Sequence, residues 1–323
     1  MTAGHGYSRQ VRERCAAVAA QADWVRVRHD RLAAYAASLP LDSDAVPQLD
    51  PEAHYLGSPE ATAAYILQLD TINFGSGYFP HLAKLPGRSG YLTIATHLAN
   101  HFRRHGPFSP RQLEKLTVTD CAELFHQDLD NHPASELMWL FTTALQDLGH
   151  FVRQRFAGSY SRLIASARAC SQRLVEILVG MRMFRDVARH KEVEVPFFKR
   201  AQLCAADLAL ALGDTPLGTF RDLDELTIFA DNLVPHVLRV DGVLEYSPDL
   251  ANRIAGGSLL AAGSAEEVEI RACAVHAVEL LCAELARQGR PTTAMRLDYL
   301  LWNRGQQPHY KAIPRHRTCT VFY

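Results

Sequence analysis

Apolar residues recur every three to four positions along most of the chain, which is the spacing of one face of an α-helix. The segments with this spacing predict helices over residues 8–39, 58–74, 91–106, 134–156, 160–184, 199–213, 264–291 and 295–305. Shorter helices are expected at 109–116 and 119–125, and 191–198 is one of few strand-like segments. The pattern therefore predicts a mainly α-helical fold with a few short strands.

Residues that favour helix ends support several of these boundaries. Ser58 followed by Pro59 is typical of a helix N-terminus. Ser264 with Glu267 three residues later has the sequence of a capping box. Gly289 then indicates the C-terminal end of the same helix.

No internal repeat or low-complexity linker divides the chain. We therefore expect one mainly helical domain over residues 1–323, with two lobes. The first lobe, about 1–130, holds the N-terminal helices and a loop at 75–90 that is rich in glycine and proline. The second, about 131–323, holds the core and the C-terminal tail.

Residues 220–238, FRDLDELTIFADNLVPHVL, have the pattern of an interrupted helix. Its apolar stripe would consist of Leu226, Phe229, Ala230, Leu233 and Val237. Another face would carry the polar residues Asp224, Thr227 and Asp231. Pro235 is incompatible with a helix that continues through Asp231 but suits the first turn of a new one, so we expect a helix junction there. Asp231 is then either a helix cap, which the pattern alone favours, or a carboxylate held in a semi-apolar cleft for chemistry.

Two cations interrupt an apolar segment at another predicted helix start. Lys199 and Arg200 directly follow Phe197 and Phe198. Positive charge is mildly unfavourable at a helix N-terminus, so either solvated side chains or cations that face a partner or an anionic ligand are expected.

Polar and aromatic residues also meet at the ends of two other predicted helices. Asn73, three residues after Asp70 and next to Phe74, either caps its helix or presents an amide to a ligand. In the last predicted helix, Asp298 and Trp302 lie one turn apart. Their neighbours in that helix, also candidate contacts, are Tyr299 and Asn303. A buried structural tryptophan and a flat surface for a nucleobase are both consistent with this spacing.

The overall charge limits the class of partner. The chain has 34 Lys and Arg against 35 Asp and Glu, a formal net charge of -1. Proteins that grip a long phosphate backbone usually carry a basic excess, so no extended nucleic-acid partner is expected.

The cysteines and the apolar segments indicate the compartment. Seven cysteines, an odd number without a C-x-x-C pair, indicate free thiols in a reducing environment. The N-terminus lacks the apolar core of a signal peptide, and no run of 18 apolar residues occurs. We expect a cytoplasmic protein without a membrane partner.

Motifs for metal or cofactor chemistry are not found. His97 and His101 lie one helical turn apart, but no third ligand accompanies them, so no metal site is expected. His97 is kept as a candidate substrate contact. The chain has no phosphate-binding G-x-x-x-x-G-K-[ST] loop, no H-E-x-x-H and no G-x-S-x-G, and we expect no cofactor.

The C-terminal tail is basic but ends on apolar residues. Its basic residues are His309, Lys311, Arg315, His316 and Arg317. The apolar end at 321–323 predicts that the tail docks on the protein.

Several of these segments together resemble one known family. They are LDTINFGSGYFP (69–80), VPFFKRAQLCAADL (195–208), FRDLDELTIFADNLVPHVLRVDGVLEYSPDL (220–250), EEVEIRACAVHAVELL (266–281), LDYLLWNRG (297–305) and IPRHRTCTVFY (313–323). In this order, from about residue 60 to residue 323, the chain resembles the queuosine salvage family of queuosine 5'-phosphate N-glycosylase/hydrolases.

The resemblance implies an activity and a fold. Family members release queuine, a 7-deazaguanine base with a cyclopentenediol arm, from queuosine 5'-monophosphate for salvage into tRNA modification. Their fold is mainly helical and similar to helix-hairpin-helix DNA glycosylases. In such glycosylases a turn that carries a lysine or glycines leads into a helix, and a catalytic aspartate follows downstream. The segments FFKRAQ (197–202) and FADNLVP (229–235) resemble this layout, which implies that Asp231 is catalytic. This chain lacks the glycine-rich hairpin and separates Lys199 from Asp231 by 32 residues, so no nucleophilic role is carried over to Lys199.

Roles for the other candidates follow from the implied substrate. Asp231 would act as nucleophile, as base or as electrostatic stabiliser of a positively charged sugar. The base would contact Asp298, Phe229 and Trp302, and Asn73 and Phe74 would contact the base or its diol. The 5'-phosphate would require the cations Lys199, Arg200 or the basic tail. Asp224 is expected to support Asp231.

Two alternatives belong to other classes. A DNA or tRNA base glycosylase would bind polynucleotide in a salt-dependent manner. A non-catalytic protein that sequesters queuine or a related nucleotide would bind without releasing a base.

Overall fold

The structure is a computed structural model that describes residues 6–41, 48–213 and 215–323. Helices dominate these residues, as predicted, and the mainly α fold is confirmed. Within the described ranges, no helix has the length and apolar character needed to cross a membrane.

The helices and strands follow one another along the described chain with short connections. In chain order they are α1 (Tyr7–Ala19), β1 (Val25–Val27), α2 (His29–Ser38), α3 (Pro59–Thr71), α4 (Gly90–His105), α5 (Pro110–Leu113), α6 (Val118–Phe125), α7 (His132–Arg155), α8 (Tyr160–Ser166), α9 (Ser171–Leu178), β2 (Val187–His190), β3 (Val193–Pro196), α10 (Lys199–Leu212), α11 (Val234–Val240), β4 (Leu244–Tyr246), α12 (Pro248–Ala255), α13 (Ala265–Arg287), α14 (Ala294–Gly305) and α15 (Pro308–Lys311). Short 3₁₀ helices occupy Phe79–His81, Arg182–Phe184 and Leu223–Glu225.

Two compact units are formed, each from several segments. As far as these are described, the first comprises Met1–Pro47, Asp186–Lys199 and Asp222–Cys319, and the second comprises Gln48–Arg185, Arg200–Arg221 and Thr320–Tyr323. The single domain and the lobe boundary near residue 130 stay predictions.

Helix α13 is the centre of the first unit. Its apolar side chains are buried on several sides, and α1, α2, α11 and the strand β1 pack against it. Three charged residues of α13 are buried as well: Glu267, Glu269 and Arg271. Buried charges are costly unless they are paired and hydrogen-bonded, so their partners define the structure around this helix.

Both sheets belong to the first unit and have two antiparallel strands. Strand β1 pairs with β4, with Val25 opposite Tyr246. Strands β2 and β3 form a hairpin in which His190 lies opposite Val193, so the strand expected at 191–198 is confirmed for Val193–Pro196.

The single helix predicted over residues 8–39 is wrong. Helix α1 ends at Ala19 and α2 begins at His29, with β1 between them. The carboxylate of Glu269 accepts hydrogen bonds of 2.6–3.1 Å from the backbone N–H groups of residues 23–25. Because these N–H groups are paired with a buried side chain of α13, they do not take part in helical hydrogen bonds. The segment between α1 and α2 therefore does not continue the helix.

The second unit is helical and contains α3 to α9 and the remainder of α10 after Lys199. Helix α3 is buried along most of its length, and the Ser58 hydroxyl accepts from the N–H of Ala61 at 3.3 Å, as its sequence predicted. The one helix predicted over 160–184 is wrong, because α8 and α9 are separate. Arg168 and Ala169 between them have φ angles of 53° and 55°, which a right-handed helix does not contain.

Candidate active site

Asp231 lies at a turn that leads into α11 in the first unit. Its Oδ1 accepts hydrogen bonds from the backbone N–H of Leu233 at 2.7 Å and of Val234 at 3.2 Å. Pro235 occupies the first turn of α11, as predicted. Asp231 therefore caps the turn that precedes α11, and because both bonds use Oδ1, they leave Oδ2 for another partner.

The residues before Asp231 are extended and not helical, which corrects the predicted apolar stripe. Leu226 to Ala230 are buried and lie outside any helix or strand. The N–H of Phe229 donates to Oδ1 of Asp298 at 2.8 Å, and the carbonyl of Ala230 accepts from Nε of Arg271 at 2.9 Å. These long-range bonds replace the helical ones, so the alignment of Asp224, Thr227 and Asp231 on one helical face is wrong.

Asp298, on α14, is the buried acid of this site. Its side chain is 4% exposed, and burial raises the pKa of the carboxyl to about 7, with the negative charge of Asp231 adding to the effect. The N–H of Phe229 and the ammonium of Lys199 act in the opposite direction. The site therefore joins Asp231, Asp298 and Lys199 within electrostatic range, and Asp298 exchanges a proton near neutral pH.

Lys199 is the first residue of α10 and is itself 6% exposed. Its backbone N–H donates to Oδ2 of Asp186 at 3.2 Å, which fixes the start of the helix. The positive charge of its ammonium acts on the carboxyl of Asp298, whose pKa it lowers.

Aromatic rings border the acids. The rings of Phe229 and Tyr299 meet edge to face with centroids 6.2 Å apart, and Phe229 is buried. Trp302 is half-buried and packs against the core, whereas Asn303, at the next position of α14, is exposed. Asp224 is exposed in the 3₁₀ helix Leu223–Glu225, and its supporting role stays a prediction.

The tail docks on the protein, as predicted: its apolar end belongs to the second unit, where the carbonyl of Tyr323 accepts from the N–H of Gly75 at 2.9 Å, and its basic residues belong to the first unit. Leu260 donates its N–H to the carbonyl of Arg317 at 2.9 Å, and His316 and Thr318 are buried. Arg315 keeps exposed surface, but desolvation by the surrounding protein lowers the pKa of its guanidinium, while the charge of Asp231 opposes that shift. Arg315 is thus the tail cation within electrostatic range of Asp231.

Three other tail residues are exposed or neutral. His309 and Lys311 lie at the surface of α15. Burial and neighbouring cations lower the pKa of His316 to about 3, so this imidazole is uncharged at neutral pH.

Arg200 belongs to the second unit and is bound by the chain itself. Its terminal nitrogens donate to the carbonyl oxygens of Asp70 at 3.0 Å, Thr71 at 2.5 Å and Met183. The guanidinium also lies 4.8 Å from the centroid of the Phe74 ring. Arg200 therefore closes the C-terminal end of α3, where free carbonyls attract a cation.

The remaining candidates also lie in the second unit. Nδ2 of Asn73 donates to Oδ1 of Asp70 at 3.3 Å, and Phe74 is buried with 1% exposure. The ring of His97 lies 4.6 Å from that of His126, and burial together with this neighbour lowers the pKa of His97. Within the described ranges, no group of three or more His, Cys, Asp or Glu side chains has the geometry of a metal site.

Asp186 and Arg271 are the residues that the sequence interpretation missed. Arg271 is 1% exposed and pairs with both carboxylate oxygens of Asp186 at 3.1 Å and 2.5 Å. The position of Arg271 within the mostly apolar segment 268–278 is a signal that could have revealed this residue. Asp186 follows a short 3₁₀ helix and offers no comparable pattern.

Comparisons with known proteins identify the family. The model of the queuosine salvage protein family matches residues 53–323. A queuosine 5'-phosphate N-glycosylase/hydrolase of Sphaerobacter thermophilus is 37% identical over 95% of this chain and 95% of that protein. Proteins of the same name from Dictyostelium discoideum and Bos taurus are 36% and 28% identical, over 82% and 86% of this chain and 79% and 85% of their own lengths. The chain therefore belongs to the queuosine salvage protein family.

Proposed function

We propose that the protein hydrolyses the N-glycosidic bond of queuosine 5'-phosphate and releases queuine and ribose 5-phosphate. The names of the relatives support this reaction. Three proteins that match this chain over most of their own length are named queuosine 5'-phosphate N-glycosylase/hydrolase. In the chain itself, one observation carries the proposal: the charge of Asp231 helps to raise the pKa of the buried Asp298 to about 7. A pair of carboxyl groups in different environments, one of them with a raised pKa, is the arrangement that glycosidic bond cleavage uses.

Asp231 is the carboxylate that we assign to the sugar. Cleavage develops positive charge at C1' and at the ring oxygen, which a fixed negative charge stabilises. The two N–H bonds on Oδ1 hold the group, and Oδ2 accepts the proton of the water that attacks C1'. The base leaves with the electron pair of the broken bond.

Asp298 is the group that we assign to the base. A 7-deazaguanine has no N7 to protonate, so the departing base needs a proton donor at another acceptor. With a pKa of about 7, Asp298 is largely protonated below neutral pH and can donate there. Phe229 and Tyr299 supply flat apolar surface next to it.

Lys199 and Arg315 are our candidates for the 5'-phosphate. Both are cations in the first unit: the charge of Lys199 acts on Asp298, and Arg315 interacts electrostatically with Asp231. We omit Arg200, because three backbone carbonyls already accept from its guanidinium.

The test is incubation with queuosine 5'-phosphate and mass detection of free queuine and ribose 5-phosphate. We expect release by the wild type and a loss of about 10³-fold or more in kcat for Asp231→Asn, by analogy with other essential charged groups. Asp249→Asn is the matched control, since Asp249 is an exposed carboxylate in the first turn of α12 in the same unit.

Two results would contradict the proposal. Release of queuine by Asp231→Asn at the wild-type rate would exclude the assigned role of Asp231. Tight binding of the nucleotide by the wild type without any release would instead support a protein that sequesters its ligand.

We propose further that the substrate is the free nucleotide and not an extended nucleic acid. The net charge of -1 supports this, because phosphate-backbone binding relies on a basic surface. Binding of tRNA or duplex DNA that weakens steeply with added salt would overturn this part.

The cytoplasm is the compartment that we propose. All seven cysteines are free, and four of them are buried. Free thiols are typical of a reducing compartment. Recovery of the protein in the extracellular or membrane fraction of its cell would contradict this placement.

A further inference from the structure

We propose that Asp186 and Arg271 form a positioning pair that holds Asp231 and Lys199 at a fixed separation in the first unit. The inference rests on the proposed function, because Asp231 and Lys199 are assigned to the same substrate. Neither Asp186 nor Arg271 is assigned a contact with that substrate.

Arg271 reaches the Asp231 segment directly. Its Nε donates to the carbonyl of Ala230, the residue before Asp231, at 2.9 Å. Its two terminal nitrogens donate to Oδ1 and Oδ2 of Asp186 at 3.1 Å and 2.5 Å. The guanidinium also lies 4.0 Å from the centroid of the Phe197 ring, so its plane is constrained on a further side.

Asp186 reaches the turn that carries Lys199. Its Oδ2 accepts from the N–H of Lys199 at 3.2 Å, and its backbone carbonyl accepts from the N–H of Phe198 at 3.2 Å. Phe198 has a φ of 48°, a left-handed conformation that a bulky residue adopts only when its surroundings impose it. Asp186 therefore fixes the strained turn from which α10 begins.

The two sets of bonds form one continuous path from Lys199 through Asp186, Arg271 and Ala230 to Asp231. The side chains of Asp186 and Arg271 join the backbone of Lys199 to that of Ala230. Both side chains are buried, so water does not compete for their hydrogen bonds. A planar guanidinium can bind a carboxylate with two nitrogens and a carbonyl with the third, which a lysine ammonium cannot reproduce in the same geometry. The pair thus sets where the two charged groups stand relative to each other.

Glu269 provides a matched control for a purely structural role. It lies on the same helix as Arg271, is fully buried, and accepts from the N–H groups of residues 23–25. Its Oε1 lies 2.8 Å from Nε2 of His190. Glu269 is thus a buried, hydrogen-bonded carboxylate with partners away from the Asp231 turn.

The experiment compares Arg271→Lys, Asp186→Asn and Glu269→Gln with the wild type, at a temperature where all four are folded. Melting temperature, kcat and KM for queuosine 5'-phosphate are measured. We expect kcat of Arg271→Lys and Asp186→Asn to fall at least about tenfold with KM within about threefold, since small displacements of reacting groups are costly. Glu269→Gln lowers the melting temperature but leaves kcat within about twofold.

Amide hydrogen exchange gives a second measurement that does not depend on activity. In Arg271→Lys and Asp186→Asn, exchange becomes faster at residues 229–234 and at 198–200, and in Glu269→Gln it becomes faster at 23–25 instead.

Wild-type kcat in Arg271→Lys, or unchanged exchange at 229–234 in both pair variants, would overturn the inference. An equal loss of kcat in Glu269→Gln would also overturn it, because a general loss of stability would then explain the effect. A wild type that releases no queuine contradicts the proposed function, and the exchange measurement still decides the positioning role.

Discussion

The backbone N–H of Phe229 donates to Oδ1 of Asp298 across 2.8 Å, although 69 positions separate the two residues in the chain. The bond joins the extended segment before Asp231 to α14. Because Oδ1 accepts from this N–H, a proton on the neutral carboxyl resides on Oδ2. The fold therefore decides which oxygen of Asp298 can act as a donor.

The stability of the protein should depend on the protonation of Asp298. The unfolded carboxyl titrates near 3.8, and burial with the charge of Asp231 raises the folded pKa to about 7. Between these values the folded state binds a proton that the unfolded state releases, so the contribution of Asp298 to the free energy of unfolding falls as pH rises from about 4 to about 7. Asp298→Asn removes this titration and keeps an oxygen that can accept from Phe229.

Urea unfolding of both proteins from pH 4 to pH 8 measures the effect. Relative to the wild type, Asp298→Asn should gain stability as pH rises, by a few kcal/mol at most over this range. A difference between the two proteins that is the same at every pH would contradict the raised pKa.

The pH dependence of activity should reveal the same group. If neutral Asp298 donates to the departing base, kcat/KM of the wild type falls above a pH of about 7, where the carboxyl ionises. Asp298→Asn should have a lower maximum and lack this alkaline decline. Initial rates of queuine release from pH 5 to pH 9 test this, and a wild-type rate that stays constant above pH 7 would argue against the donor role.

Asp231 has a capping role and a chemical role that two substitutions separate. Asp231→Ala loses both hydrogen bonds at the start of α11 and should lower the free energy of unfolding by about 1 kcal/mol. Asp231→Asn keeps an acceptor and should stay within about 0.5 kcal/mol of the wild type. Both should lose activity, as measured by queuine release beside thermal unfolding. Equal stability of the two variants would mean that the cap contributes little.

Arg315 should discriminate the phosphorylated substrate from the dephosphorylated nucleoside. Arg315→Gln is expected to raise KM for queuosine 5'-phosphate at least about tenfold, because an interaction with a charged group is typically worth about 1.5–3 kcal/mol, and to change KM for queuosine little. Arg296→Gln, at an exposed position of α14, is the control. Equal changes with both substrates would assign Arg315 another role.

Arg200 should matter for stability and not for phosphate recognition. Loss of a buried guanidinium from three carbonyls, as in Arg200→Met, should destabilise the protein by about 3 kcal/mol. Thermal and urea unfolding measure this. If a folded Arg200→Lys protein lost the preference for the phosphorylated substrate, the assignment of Arg200 to the end of α3 alone would be wrong.

Local sequence patterns predicted the helices whose ends depend on neighbouring residues. Ser58 and Pro59 begin α3, and Ser264 begins α13, because capping bonds join residues only three positions apart. The strand β1 was not predicted, because its backbone is bound by Glu269, about 245 positions away.

The same limit applies to the candidate site. Asp231, Asp298 and Phe229 stood out because polar and aromatic residues interrupt a regular pattern. The pattern did not reveal that Arg200 binds the carbonyls of α3, since those acceptors lie about 130 positions earlier. Asp186 was missed because its importance comes from Arg271, 85 positions later.

The bond network of Glu269 has a consequence for how the protein can be shortened. The family model begins at residue 53, which invites an expression boundary at that point. Such a protein would lack β1, leave the edge of β4 unpaired, and remove the three N–H groups that solvate Glu269 inside the core. The same helix carries Arg271, so a boundary chosen from family similarity alone would weaken the helix on which the Asp231 turn depends.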